Sequence, residues 1–133
     1  MSLHLITRVA AVVAVSVSIA AFAAADLKGD YKVEFAIQDQ TYTGTAKAIG
    51  AAKGAFTAAF TFTSPSNIAA DATGKTFGDS VTYEAKYADK DRGCTGTFVA
   101  KGTIEKDGSK AAGTVKITDS CSGEISGNFR LWR

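Results

Sequence analysis

From Asp30 onward, apolar and polar side chains alternate almost one for one. Tyr31, Val33, Phe35 and Ile37 share one phase, against Lys32, Glu34 and Gln38. In Thr41–Ile49, Tyr42, Gly44, Ala46 and Ala48 oppose Thr41, Thr43, Thr45 and Lys47. Ala55–Thr63 sets Phe56, Ala58, Phe60 and Phe62 against threonines. The same period continues in Val81, Tyr83, Ala85 and Tyr87, then in Gly96, Phe98, Ala100, Gly102 and Ile104. It ends with Gly113, Val115 and Ile117, and with Ile125, Gly127, Phe129 and Leu131. A period of two places successive side chains on opposite faces of a strand, so each run predicts a half-buried strand.

The connections suit antiparallel neighbours. Asp107-Gly108 is a hairpin pair, Asp39-Gln40 joins the first two strands closely, and Asp89–Gly93 forms a charged hairpin tip. Gly50–Gly54 is a glycine-bounded turn. Ser64–Ser80 reads as a long connection, holding a short strand at Asn67–Asp71 and a turn at Ala72–Lys75. The fold class is therefore all-β: one antiparallel up-and-down β-barrel of 7–8 strands, since closure removes both sheet edges. A two-sheet sandwich has an overlapping signature and is the runner-up.

The N-terminal segment breaks the pattern. Met1–Arg8 carries the charge of Arg8, Val9–Phe22 is continuously apolar, and Ala23-Ala24-Ala25 offers the small residues of a signal-peptidase site. The expectation is a signal peptide over residues 1–25, a barrel domain over 26–133, and a periplasmic or secreted location of bacterial type. Cleavage removes His4, the only histidine, so no imidazole is left for general-base or metal chemistry. It also removes Arg8 from 15 basic residues set against 13 acidic ones, and this near-neutral, scattered charge argues against a nucleic-acid partner. No cofactor is expected.

Cys94 and Cys121 are an even pair in an exported chain, which predicts one disulfide. They begin strands two apart in a meander, hence at one end of the barrel. Catalysis is not expected: Glu34, Glu84 and Glu105 fall on the polar outer phase, and serines have no histidine to activate them. Asp89–Gly93 begins like a calcium loop, but Cys94 and Ala100 stand where that loop needs glycine and an acid.

The inward phase supplies the binding candidates. Tyr31, Tyr42, Phe60, Tyr83, Tyr87 and Phe98 alternate with many small residues. That mixture fits either a hollow barrel lined by these six or a narrow, filled one. Trp132 lies out of phase with Phe129 and Leu131, which places it outside between Arg130 and Arg133 as an interaction-surface candidate.

Gly29-Asp30-Tyr31 stands where the calycins, the lipocalin-like small β-barrel proteins, carry a G-x-W near the first strand. In that family a basic side chain of the last strand packs on the indole; here Arg130 or Arg133 is available, and Tyr replaces Trp. The glycine-punctuated hairpins from Cys94 to Leu131 are also similar to small secreted bacterial proteins. The resemblance implies a non-catalytic barrel that binds a small apolar or amphipathic ligand, or that blocks another protein. Two other readings use the same pattern. One is an interaction module or inhibitor acting through the 64–80 loop and the C-terminal strand on a protein partner. The other is a small outer-membrane barrel with its apolar phase turned to lipid.

Overall fold

The computed structural model describes residues 25–133; the segment read as an export signal, up to residue 24, lies outside the described residues. Eight strands follow one another among those described: β1 (Gly29–Ile37), β2 (Gln40–Gly50), β3 (Ala55–Ser64), β4 (Ile68–Phe77), β5 (Ser80–Asp89), β6 (Cys94–Ile104), β7 (Lys110–Asp119) and β8 (Gly123–Trp132). Each pairs antiparallel with the next, and β8 pairs with β1 through Lys32–Trp132 to Ile37–Gly127. The sheet is thus a closed barrel, and the sandwich arrangement is excluded.

The expected long connection at 64–80 is corrected. Ile68–Phe77 is a full strand, and the chain reverses at Gly78-Asp79 instead of Ala72–Lys75. Gly78 takes the positive φ (59°) that this two-residue hairpin needs at its first central position. Gly74 is not a turn residue. A Cβ there would collide with the Phe56 ring and come within 2.7 Å of Tyr83 Cβ, so glycine makes room for two core rings.

That local accommodation recurs around the wall and decides between hollow and filled. In register, Phe60 lies between Ala46 and Ala70, Tyr83 between Gly74 and Ala100, and Phe98 between Ala85 and Ile117. Small residues are mostly the cross-strand neighbours of large ones, and the rings fill the space they leave. Phe60 packs 5.6 Å from Tyr83 and 5.8 Å from Phe98, and Phe35 lies 5.1 Å from Phe98, centroid to centroid. The middle of the barrel is an aromatic core.

The apolar phase points inward, whereas Lys32, Lys47, Glu84, Lys86, Lys101 and Lys116 are exposed on the outside. This is the reverse of what a lipid-facing band requires, and it overturns the outer-membrane reading. One end of the barrel, the base, is closed by residues 25–28: Ala25 and Leu27 are buried, and the Ala25 carbonyl accepts a hydrogen bond from Thr76 Oγ1. The other end, the mouth, carries the disulfide.

Candidate functional site

The Cys94–Cys121 bond joins the start of β6 to the β7–β8 turn, with Cα atoms 5.9 Å apart. Beside it, the inward phases of β5 and β7 each end on an acid. Asp89 continues Val81, Tyr83, Ala85 and Tyr87; Asp119 continues Val115 and Ile117. Both carboxylates are buried at the rim. The hairpin between β5 and β6 folds Arg92 over them, with Nη1 3.6 Å from Asp89 Oδ2 and Nη2 3.5 Å from Asp119 Oδ1.

The two acids differ in what they receive. Asp119 Oδ1 accepts the amides of Cys121 (2.8 Å) and Ser122 (3.0 Å), and Oδ2 accepts the Tyr87 hydroxyl. Burial works against its charge, but the Tyr87 hydroxyl, the two amides and Arg92 outweigh it and hold the carboxyl below its ordinary range. Tyr87 is pushed far up by burial and by its bond to Asp119, so it stays a neutral donor. Asp89 Oδ1 accepts Ser66 Oγ (2.6 Å) and the Arg92 amide (3.3 Å), while Oδ2 has no hydrogen-bond partner among the described residues. Asp91, outside the rim, accepts the Asn67 amide at 2.8 Å and holds the β3–β4 connection against the same hairpin.

These groups border a cleft of about 50 Å³, bounded also by Tyr42, Phe62, Ile68, Tyr87, Phe98 and Ile125 among others. Tyr42, Ile68, Tyr87 and Ile125 are only half-buried, so the inward phase stops being filled here. Of the six candidates for cavity lining, the cleft gathers Tyr42, Tyr87 and Phe98. Phe60 and Tyr83 sit deeper in the aromatic core with Phe98.

Tyr31 is at the opposite end. Its hydroxyl donates to the Gly108 carbonyl (2.6 Å) and accepts from Arg133 Nη2 (2.8 Å), and that guanidinium lies 4.9 Å from the ring centre. Arg133, the residue after β8, thus packs on the first-strand ring of Tyr31. Arg133 is therefore occupied at the base. Arg130 and Trp132 lie on the outer wall, where the Arg130 guanidinium stacks 4.6 Å from the indole centre and pairs with Glu34 at 2.7 Å. The loop half of the interaction-module reading has lost its loop, because residues 68–77 are sheet.

From the sequence, Asp89 and Arg92 read only as part of a charged hairpin tip, and Asp119 is not singled out. The signal was present: both acids fall on the apolar phase of their strands, one step beyond Tyr87 and Ile117. A carboxylate at an inward position is costly unless bonded, which is reason enough to single it out. The cluster of Cys94, Asp119 and Cys121 is not a metal centre, since both sulfurs are spent in the disulfide.

No protein-family model matches the chain, and no curated protein matches it. Among solved structures it is similar to the redesigned β-barrel b11L5F_LGL, with a TM-score of 0.58 and 15% identity over 80% of this chain and 90% of that one. A second similar structure is the redesigned β-barrel mFAP1 bound to DFHBI, with a TM-score of 0.58 and 19% identity over 80% of this chain and 94% of that one. At these identities the likeness is one of fold, and the chain shares with both the architecture of a small β-barrel.

Proposed function

We propose that the protein is an exported, non-catalytic binding protein that receives a small amphipathic ligand at the disulfide-bonded mouth of the barrel. The observation that carries this reading is the cleft itself. It is the place where inward positions are half-exposed, apolar walls stand open, and buried polar groups share the lining. The mFAP1 barrel, which binds the dye DFHBI, shows that the architecture can host a small molecule. A cleft of about 50 Å³ is far below the roughly 300–1,000 Å³ of sites that engulf a drug-sized molecule. The ligand is accordingly small, or inserts only one end. A retinoid or long acyl chain has no room unless the Phe60–Tyr83–Phe98 cluster moves. The disulfide and the signal-like N-terminus support export, and the loss of His4 on cleavage supports a non-catalytic role.

Amide chemical-shift mapping with a library of small amphipathic fragments tests the reading. Perturbations should concentrate at Ile37, Tyr42, Ile68, Tyr87 and Ile125. A library that at millimolar concentration moves only surface residues elsewhere, or nothing, removes the proposal.

A further inference from the structure

We infer that the end of the ligand inserted into the mouth is a primary alkylammonium group, held by Asp89. This deepens the proposed binding role and rests on it. Two carboxylates point inward at the rim and one guanidinium answers them, leaving one uncompensated negative charge in a partly buried site. Asp119 is satisfied: two amides, a phenol and Arg92 address it. Asp89 is not. A carboxylate has acceptor capacity for about four hydrogen bonds. Both bonds that Asp89 receives fall on Oδ1, and Arg92 stands off Oδ2 at a charge-contact distance. Asp89 lines the cleft, and its Oδ2 is a buried acceptor without a donor among the described residues, an arrangement that favours any ligand bringing one.

Charge selects among donors. A hydroxyl can satisfy Oδ2 but leaves the net charge in place, and a carboxylate headgroup meets two like charges with Arg92 already shared between them. An ammonium brings the hydrogen bond and the missing charge together, and the aromatic residues Tyr42 and Tyr87 line the same cleft. The cleft has room for roughly four water-sized bodies, enough for an ammonium and a short methylene stem.

The test is calorimetric and NMR titration of the full protein at neutral pH with butylammonium, butan-1-ol and butyrate, three ligands of similar shape and different charge. Butylammonium is expected to bind at least tenfold more tightly than butan-1-ol, with butyrate weakest and shifts centred on Asp89 and Tyr87. Asp89→Asn is expected to bring butylammonium down to the alcohol's affinity. Equal binding of amine and alcohol, or tighter binding of butyrate, overturns the ammonium inference while leaving the mouth as a binding site. If none of the three perturbs the mouth while the fragment library does, the inference alone fails; if neither does, both fail. The comparison of ligands uses the unaltered protein, so it decides the matter even where Asp89→Asn does not fold.

Discussion

The same substitution, tyrosine to phenylalanine, should change stability in opposite directions at Tyr83 and Tyr31. Tyr83 lies in the aromatic core between Phe60, Phe98 and Phe129, and its hydroxyl is buried with no hydrogen-bond partner among the described residues. Burial raises its pKa well above the ordinary value, the mark of a phenol cut off from water. Leaving a buried hydroxyl unbonded costs about 1–3 kcal/mol. Removing one oxygen opens a void of roughly 10 Å³, which at about 24 cal/mol per Å³ returns only about 0.2 kcal/mol of loss. Tyr83→Phe is therefore expected to stabilise the fold by about 1–2 kcal/mol. In urea, with m of about 1–2 kcal/mol/M, the midpoint rises by roughly 1 M, and in a thermal scan by about 5 °C or more. Tyr31→Phe loses bonds to Gly108 and Arg133, and should destabilise by about 1–2 kcal/mol. A fall in stability of 1 kcal/mol or more for Tyr83→Phe would refute the reasoning, because it would mean the hydroxyl has a partner such as an enclosed water.

Four further outcomes are expected. Reducing Cys94–Cys121, which spans 27 residues, should cost roughly 3.5 kcal/mol through the greater freedom of the unfolded chain, read as a urea midpoint with and without reductant. Asp119→Asn should destabilise by about 2 kcal/mol at neutral pH. Since folding depresses the Asp119 pKa, its contribution is complete above the unfolded value near 3.8 and fades as pH falls through the lower folded value. The gap between Asp119→Asn and the parent should close with acidification below about pH 4, and a gap independent of pH contradicts the assignment. Arg133→Ala should lose about 1 kcal/mol through the Tyr31 contact, whereas Arg130→Ala on the outer wall should leave the unfolding midpoint nearly unchanged. Finally, Ala25 is part of the base and accepts from Thr76, so under the proposed export a mature product that retains Ala25 is expected. Ala21-Phe22-Ala23 offers the alternative small-residue site, and intact mass separates a start at Ala24 from one at Asp26.

Most of the wall was legible because its inward phase carries rings or branched chains. β4 was not. Its inward residues are Ile68, Ala70, Ala72, Gly74 and Thr76, small or polar after the first, and a lone glycine amid Ala, Thr and Lys has the composition of a turn. Only the neighbouring strands reveal that Gly74 yields to Phe56 and Tyr83. Cross-strand register is likewise invisible to a single-strand pattern, and it is the placing of Phe60 between Ala46 and Ala70 that distinguishes a filled barrel from a hollow one. Inside and outside share one alternation, and the exposed lysines of the sheet are what assign the sides. The acids of the mouth were missed for another reason. Asp89 opens a run of charged residues that resembles a solvated tip, and its burial depends on Ser66, 23 residues earlier, and on a guanidinium folding back.

The seam between β1 and β8 fixes when this wall can be completed. A polypeptide delivered amino end first presents its opening strand at once, yet the strand that must dock beside Lys32–Ile37 arrives only with residues 127–132. Until then the growing sheet has two bare margins and cannot round on itself. Ring formation is thus deferred until the carboxyl-terminal strand is available to close the seam.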